Sequence, residues 1–164
     1  MTAKIRSATA HDAEAIATIY NEGIAERTST FETEPRSLGD VRGWLDSERH
    51  PVLVAPDGES LAGWGRVAAY SPRAAYGGIG EASVYVAAAH RGRGIGGALA
   101  AGLLAEAERA GYHKLIGKLF TDNEASLQLV RRLGFREVGV HVRHGRLQGR
   151  WRDVLLVELL LDER

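Results

Sequence analysis

The 164-residue sequence contains no cysteine. This absence excludes a disulfide framework, a cysteine nucleophile and a zinc site built on thiolates. An excess of either charge is also absent, because 21 Lys and Arg residues balance 21 Asp and Glu residues and the formal net charge is zero. A dedicated nucleic-acid-binding protein usually carries a clear basic excess, so we expect no nucleic-acid partner.

Long apolar runs are missing as well. The initial segment, MTAKIRSATAHDAEAI, lacks the apolar core of a signal peptide, and no later run approaches the length that spans a membrane. We therefore expect a cytoplasmic protein with no membrane partner. Hydrophobic residues make up 45% of the chain and charged residues 26%, an ordinary balance for a folded domain. The length predicts a single domain over residues 1–164.

The first half of the chain predicts a strand, two helices and a hairpin. Thr9 with Asp12, and Ser37 with Asp40, have the spacing of a helix capping box. Pro56–Gly58 has the composition of a turn, because Pro presets φ and Gly accepts a positive φ. The predicted elements are a strand over Lys4–Ala8, a helix to about Glu26, a loop over Arg27–Pro35, a helix through Val41, Trp44 and Leu45, and strands over Val52–Ala55 and Leu61–Tyr70.

The second half alternates strands with helices. Gly94–Ala110 is rich in Ala and Leu and is followed by Gly111, which is typical of a helix and its C-terminal cap. The other predicted elements are a loop over Ser71–Gly80, strands over Ala82–Val86 and Leu115–Phe120, a helix capped by Asp122 or Asn123 and closed at Leu133–Gly134, and strands over Arg136–Arg143 and Asp153–Leu161. This order predicts an α/β fold with helices covering a mixed sheet.

The segment between Ser83 and Gly97 is the most informative part of the sequence. A strand ending at Val86 runs into RGRGIGG, and this glycine-rich turn opens a helix. Glycine lets backbone amides approach a ligand without obstruction by Cβ. The first amides of a helix lack intrahelical partners and carry the positive end of the helix dipole. The turn therefore predicts a phosphate site.

Two interpretations of the turn are weaker. Gly92, Gly94 and Gly97 match the dinucleotide fingerprint G-x-G-x-x-G. That fingerprint expects an acidic residue about twenty positions later, where this chain has Gly117 and Lys118. A tight turn without a ligand is the other interpretation, and the cost of glycine in a helix disfavours it.

A third interpretation rests on a resemblance. Arg91-x-x-Gly94-x-Gly96 resembles the Q/R-x-x-G-x-G/A signature of the GNAT superfamily of N-acetyltransferases, whose turn holds the diphosphate of coenzyme A. Further blocks resemble the phosphinothricin acetyltransferase-like branch and, within it, the arsinothricin-resistance enzymes. These blocks are Phe31–Pro35, Arg73–Tyr76, Glu81–Val86, Asn123–Ser126, Leu133–Phe135 and Gly149–Asp153. The resemblance implies a mixed, mostly antiparallel sheet of about seven strands, about four helices, and a splay at the coenzyme site.

The resemblance also implies the reaction and the residues that bind its cosubstrate. The chain would transfer an acetyl group from acetyl-CoA to the α-amine of a small amino-acid-like substrate, such as phosphinothricin, arsinothricin or methionine sulfoximine, without a metal. The implied coenzyme-binding residues are Val84, Tyr85, Val86, Arg91, Gly92, Arg93, Gly94, Ile95, Gly96, Asn123 and Ser126. Strand amides at 84–86 would pair with the pantetheine arm like an added strand, and Asn123 would also cap its helix.

Glu81 is the candidate catalytic base. It begins the strand that leads to the turn, and the resemblance places the catalytic glutamate of the branch at this position. A base is required because the substrate ammonium must lose a proton before it can attack a thioester. The alternative is a solvated carboxylate at a strand end, since Glu is mostly exposed in proteins.

Four residues are candidates for contact with the amine substrate. Arg73 and Tyr76 lie in the loop before Glu81, and a guanidinium there could hold a carboxylate, phosphinate or arsenic oxyanion in a forked geometry. A solvent-exposed loop arginine is the alternative for Arg73. Phe31 could wall the same pocket or anchor its loop in the core. Tyr85 completes this group.

Val130 departs from the family pattern. Many GNAT enzymes carry Tyr at this position as the general acid for the departing thiolate, and the phosphinothricin branch often has His. Valine cannot donate a proton. Either the thiolate, from a thiol with a pKa near ~8.5, leaves without direct protonation, or a water or Tyr85 protonates it.

The C-terminal third carries three further features. His141 and His144 are three residues apart on a predicted strand and should point to opposite faces, so we expect no metal site there. Seven arginines between 131 and 152 predict a solvated face with contacts to coenzyme phosphates. Trp151–Leu161 is almost continuously apolar, and such a strand would invite aggregation if exposed. We expect it to be buried on both faces or covered by a second copy, and we predict a homodimer.

Two other functions remain open. A protein or peptide N-acetyltransferase would need an open groove, which the loops over Arg27–Pro35 and Ser71–Gly80 are expected to close. A non-catalytic acetyl-CoA-binding sensor is suggested by Val130.

Overall fold

The computed structural model describes residues 3–161, and within them seven strands form one sheet with the order β1-β2-β3-β4-β5-β7-β6. The strands are β1 (Arg6–Ser7), β2 (Val52–Asp57), β3 (Ser60–Ala69), β4 (Ile79–Val86), β5 (Lys114–Phe120), β6 (Arg136–Leu147) and β7 (Arg150–Leu160). The α-helices are α1 (Ala13–Glu26), α2 (Leu38–Leu45), α3 (Ile95–Arg109) and α4 (Glu124–Arg132). The predicted mixed α/β fold of about seven strands and four helices is confirmed.

The sheet opens between β4 and β5, the one parallel pair among the described strands. These strands pair only where Ile79–Glu81 faces Lys114–Ile116. Beyond Glu81 they diverge, while β4 stays paired with β3 as far as Val86. The expected splay is therefore present.

Buried apolar side chains of the strands point alternately to the two faces of the sheet, and helices cover both faces. Trp64 and Val67 of β3 are both buried but lie on opposite faces. Trp64 packs with Ile16 and Tyr20 of α1 and with Val41 of α2. Val67 packs with buried side chains of α3, which are Leu99, Leu103, Leu104 and Ala107. The splay thus lies between two helical layers, and each layer has its own apolar cluster.

The predicted helix starts are confirmed by their caps. Ser37 accepts a hydrogen bond from the amide of Asp40, and the Asp40 carboxylate accepts one from the amide of Ser37. The Thr9 amide donates to the buried carboxylate of Asp12, as the first capping box predicts. The Arg6 guanidinium also holds Asp12 through two hydrogen bonds of 2.8 Å and lowers the pKa of Asp12 to about 2.

Strand ends were predicted less well than helices. The first strand covers two residues instead of five, and β4 already begins at Ile79. The strands predicted over Arg136–Arg143 and Asp153–Leu161 were placed too far apart, because β6 and β7 continue to a two-residue turn at Gln148 and Gly149, both with positive φ. Polar residues fill this part of the hairpin, so no apolar alternation marks it as strand.

The apolar segment that ends the chain is an inner strand. β7 lies between β5 and β6, and its Val154, Leu155 and Val157 are buried. Burial within the fold, the first of the two expected explanations, therefore accounts for most of this segment. Within the described residues, no helix has both the length and the apolar character needed to cross a membrane.

Candidate active site

The glycine-rich turn places a row of free amides at the start of α3. Gly94 is the N-cap with φ 78°, and Gly92 has φ 76°, a conformation that suits glycine. A Cβ on either residue would meet no other atom within 4 Å. The first bond of the helix runs from the Ala98 amide to the Gly94 carbonyl at 3.1 Å. The amides of residues 95–97 are therefore left without intrahelical acceptors and can bind an anion.

Two side chains connect this turn to its neighbours. Arg91 donates to Glu26 of α1 at 2.8 Å and to the Val86 carbonyl at 3.2 Å. On the other side of the turn, the Ala88 amide donates to Glu22 at 3.3 Å. These bonds hold the turn against α1 and the end of β4, so the free amides have a defined position.

The open edge of β4 supplies further unpaired backbone groups. The Ala87 amide, just beyond β4, points toward β3 and donates to the Ala62 carbonyl of that strand at 2.9 Å. Because successive peptide groups of a strand point to opposite sides, those of Val84 and Val86 point toward β5. β5 has already diverged there, and among the described residues only Arg91 donates to the Val86 carbonyl. The Tyr85 peptide group points toward β3 instead, which narrows the predicted set of amides for the pantetheine arm to Val84 and Val86.

A cleft of about 540 Å³ joins the turn to this edge. Its walls come from β4, β5, α3 and α4, with the end of α1 closing one side. The structure brings together at this cleft all of the predicted coenzyme residues except Arg93, namely Val84, Tyr85, Val86, Arg91, Gly92, Gly94, Ile95, Gly96, Asn123 and Ser126. Arg93 is exposed beside the turn. Asn123 caps α4 by accepting a hydrogen bond from the Ser126 amide at 3.2 Å.

Glu81 lies where the two strands part. It is the last β4 residue that pairs with β5, and its side chain is 31% exposed. Lys118 Nζ donates to Glu81 Oε2 at 2.9 Å. Lys118 lines the cleft, whereas Glu81 is not itself among the lining residues. The ion pair therefore places the carboxylate beside the cavity, next to a lining residue of the opposite strand.

Lys118 is a site residue that the sequence analysis did not identify. Its signal was a charge in the interior of the strand Lys114–Phe120, whose other charged residue, Lys114, stands at its start. Alternation places it on the same face as Ile116 and Phe120, which is the face that Glu81 presents across the pair. The pairing of β4 with β5 brings the charged groups of Lys118 and Glu81 together. The two residues are 37 positions apart, so no local sequence pattern predicts their contact.

Val130 and Tyr85 bear on the question of the general acid. Val130 lines the cleft and packs with Leu127, Leu155 and Val157, so it adds apolar surface only. Tyr85 packs against Tyr20 and Trp64 with ring centroids 4.8 Å and 5.2 Å away. Burial raises the pKa of Tyr85. A raised pKa makes Tyr85 a weaker acid than a free tyrosine, which disfavours it as the proton donor to the thiolate.

The predicted substrate residues lie in two places. Arg73 is exposed, and Tyr76 packs edge-on against Tyr70 at 5.8 Å. Lys118 Nζ is 5.9 Å from the Tyr70 ring, so this loop borders the Glu81 ion pair.

Phe31 lies instead on the side of β5 and β7. Its ring packs edge-on against Phe120 at 4.8 Å, in a cluster with Leu147 and Val154, and closely faces Gly145. Phe31 is not among the residues that line the cleft. Its contacts anchor the segment after α1, the second of the two roles considered for it.

The expected geometry of the two histidines on β6 is wrong. The rings of His141 and His144 stack at 4.3 Å instead of pointing to opposite faces. The register shifts between His141 and Gly145, and Arg143 has φ 51°, so a bulge reverses the alternation. Among residues 3–161, no group of three or more His, Asp or Glu side chains is arranged to hold a metal ion.

Several arginines of the C-terminal third have acidic partners from other elements. Arg136 pairs with Glu158 of β7, and Arg152 donates to Asp122 at 2.7 Å. Arg131 pairs with Glu137 at 3.0 Å. Within residues 131–152 the sequence contains only one acidic residue, Glu137, and the partners Glu158 and Asp122 lie outside that range. The sequence of this range alone therefore overstates its unpaired positive charge.

Comparison with known families decides the class of the protein. The model of the acetyltransferase (GNAT) family matches residues 16–135, which include the turn, the splay and α4. The chain belongs to the GNAT family of acetyltransferases. The predicted family and the predicted enzyme class, N-acetyltransferase, are confirmed.

Named relatives of this GNAT chain act on amino acids. It is 35% identical over 167 aligned residues to an L-methionine sulfoximine/L-methionine sulfone acetyltransferase of Pseudomonas aeruginosa, which covers 99% of this chain and 96% of that protein. It is also 35% identical to a phosphinothricin N-acetyltransferase of Streptomyces coelicolor, over 94% of each chain.

A solved GNAT structure shares the whole fold. The acetyltransferase YncA of Salmonella typhimurium, determined with its cofactor acetyl-CoA, superimposes with a TM-score of 0.94 at 29% identity. The match covers 100% of this chain and 96% of that one.

Proposed function

We propose that this GNAT enzyme transfers the acetyl group of acetyl-CoA to the α-amine of a small amino acid of the phosphinothricin, arsinothricin or methionine sulfoximine type. The observation that carries the proposal is the position of Glu81, which Lys118 holds beside a cleft that begins at the glycine-rich turn and that Lys118 itself lines. The relatives named for methionine sulfoximine and phosphinothricin support this substrate class.

The cleft fits coenzyme A in two respects. Free amides at residues 95–97 and two open glycines suit the diphosphate. The peptide groups of Val84 and Val86 suit the amide-containing pantetheine arm, which they would bind as an added strand. Asn123 and Ser126 border the same path at the start of α4. This order along β4 directs the thioester toward the end where Glu81 lies.

Glu81 would remove a proton from the substrate ammonium. The freed amine then forms a bond with the thioester carbonyl carbon, and the carbon–sulfur bond breaks. Lys118 donates a 2.9 Å hydrogen bond to the carboxylate, so Glu81 is already oriented before the substrate binds and little entropy is lost in positioning it. Aligning the amine and the thioester can account for about 7–11 kcal/mol of the barrier.

The departing thiolate needs one proton, and the attacking nitrogen can supply it. After the first proton has gone to Glu81, the nitrogen bound to the carbonyl carbon still carries a proton that it must lose to become an amide. A water in the cleft can pass this proton to the sulfur, so Val130 and the buried Tyr85 need not act. The thiol pKa near ~8.5 makes the thiolate an adequate leaving group without a strong acid.

The proposal is tested by release of free thiol from acetyl-CoA in the presence of different amines. We expect turnover with phosphinothricin, arsinothricin or methionine sulfoximine, and little with peptides. Acetylation of peptide N-termini without acetylation of free amino acids would instead establish the peptide enzyme. Binding of acetyl-CoA with no transfer to any amine would establish the sensor.

We also propose that the enzyme is a homodimer formed through β6, acting in the cytoplasm as one domain over residues 1–164. β6 is an edge strand, and its Val138, Val140 and Val142 are 43%, 50% and 71% exposed. An exposed apolar edge strand is the kind of surface that proteins cover by association.

Light scattering should give the mass of two chains for the wild type and of one chain for Val142→Asp. A charge at the most exposed of the three valines would lose apolar burial in the dimer and remain without a partner. Leu38→Asp, at a 37% exposed position on α2, is the matched control and should stay dimeric. A monomeric wild type, or a dimer unaffected by Val142→Asp, would contradict the proposed interface.

A further inference from the structure

A second cavity, of about 250 Å³, lies on the face of the sheet covered by α1 and α2. Trp44, Ser47, His50 and Arg66 contribute side chains to its wall, and Ala68 closes one side. The cavity shares no lining residue with the cleft at the glycine-rich turn, so it is a separate pocket.

Arg66 is a half-buried cation without an acidic partner. Its guanidinium stacks on the Trp44 ring at 4.0 Å, and burial lowers the pKa of Arg66. Among the described residues, no carboxylate forms an ion pair or hydrogen bond with it; Glu81 acts only at longer range. Taking a charge out of water without a partner is costly, so such a group is usually paired.

The other arginines near Arg66 or comparable to it have acidic partners. Arg36 is close enough to lower the pKa of Arg66 further, but its own guanidinium pairs with Glu32 at 2.7 Å. Arg6 and Arg152 each have an aspartate at hydrogen-bond distance. The uncompensated positive charge of the pocket is therefore that of Arg66, which a bound anion would neutralise.

The register of β3 and β4 places this pocket beside the proposed base. Arg66 lies opposite Ser83, and Ala68 lies opposite Glu81. Residues that face each other or alternate along paired strands share one face of the sheet. Arg66 and Glu81 are therefore diagonal neighbours, with backbones about 7–8 Å apart. This separation suits an amino acid whose amine lies at Glu81 and whose anionic group lies at Arg66.

We propose that Arg66, stacked on Trp44, binds an anionic group of the amino-acid substrate, either the α-carboxylate or the oxyanion of the side chain. The proposal rests on the proposed function. A planar guanidinium supported by an aromatic ring presents a fixed fork, which suits carboxylate, phosphinate and arsinate oxygens alike. Arg73, which is exposed, remains available for a second anionic group.

The test compares Arg66→Met with Arg42→Met, an exposed arginine on α2. For Arg66→Met we expect the KM of phosphinothricin to rise about 10- to 100-fold, the loss of one charge-assisted hydrogen-bonded pair. The KM of acetyl-CoA should stay unchanged. The midpoint of thermal unfolding should not fall, because the variant removes a buried charge that had no partner. The KM of Arg66→Lys for phosphinothricin should lie between those of the wild type and Arg66→Met, since lysine keeps the charge and loses the forked geometry.

Two analogues distinguish the anionic groups. If Arg66 binds the α-carboxylate, Arg66→Met and the wild type should have the same KM for the α-amide of phosphinothricin, which lacks that carboxylate. If Arg66 binds the side-chain oxyanion, the two proteins should have the same KM for methionine sulfone, whose side chain carries no charge. A KM of Arg66→Met within twofold of that of Arg42→Met would overturn the proposal, and so would a lowered unfolding midpoint with an unchanged KM.

Calorimetry separates failure of this inference from failure of the proposed function. Phosphinothricin is titrated into protein saturated with coenzyme A. Binding to the wild type that is lost in Arg66→Met supports the anion site even if no acetyl transfer occurs. Equal binding to both proteins overturns the anion site alone, whereas no binding to either overturns the anion site together with the proposed substrate class.

Discussion

Glu81→Gln should lower kcat for amine acetylation by about 10²–10⁴-fold while leaving the affinity for acetyl-CoA unchanged. Glutamine keeps the size of the side chain and can still accept a hydrogen bond from Lys118, but it cannot take the proton of an ammonium. We expect the affinity for acetyl-CoA to stay unchanged because the proposed contacts to its diphosphate and pantetheine arm do not include residue 81. Single-turnover rates and calorimetry with acetyl-CoA measure the two quantities separately.

Glu137→Gln is the matched control for this experiment. Glu137 also pairs with a basic side chain, Arg131 at 3.0 Å, but on the exposed strand β6. Its replacement should change kcat by less than twofold. If Glu81→Gln kept more than a third of the wild-type kcat, another group would have to be the base, and the pairing of Lys118 with Glu81 would be structural.

Gly94→Asp should raise the KM of acetyl-CoA by about 100-fold or more. The substitution introduces a carboxylate next to the amides that would bind the diphosphate. Two like charges about 4 Å apart near a protein surface repel by up to about 4 kcal/mol. Gly94 has open space around its Cβ position and borders the cleft, so the new side chain would fit in the free enzyme.

Gly149→Asp separates this effect from backbone strain. Gly149 has φ 74° against 78° for Gly94, and neither Cβ would meet another atom within 4 Å. Both variants should therefore lose a similar stability, about 1 kcal/mol, because a side chain is placed in the left-handed region. Only Gly94→Asp should lose affinity for the coenzyme. Equal KM values for the two variants would show that the turn does not bind the diphosphate.

The features that sequence predicted well are those encoded over short stretches. The turn from Arg91 to Gly97 combines glycine spacing with a strand before it and a helix after it, so the helix start at this turn follows from local chemistry. The same holds for the capping boxes at Thr9 and Ser37, whose partners are three residues away. The helices were accordingly placed within a few residues of their observed ends.

Features that depend on pairing over long distances were predicted poorly or not at all. Lys118 reaches Glu81 only because β4 and β5 pair briefly, and Arg66 stands beside Glu81 only through the β3–β4 register. The β6–β7 hairpin is polar where it extends beyond Arg143, so hydrophobic alternation does not reveal it. The stacking of His141 on His144 depends on a bulge that composition does not indicate.

A crystal structure with acetyl-CoA and a bound amino acid would show both halves of the proposed site at once. We expect the diphosphate on the amides of residues 95–97, and the amine nitrogen about 3–3.5 Å from the thioester carbon and about 2.6–3.2 Å from Glu81. A diphosphate bound elsewhere, or a Glu81 carboxylate out of reach of the amine while acetyl transfer proceeds, would contradict the proposed site.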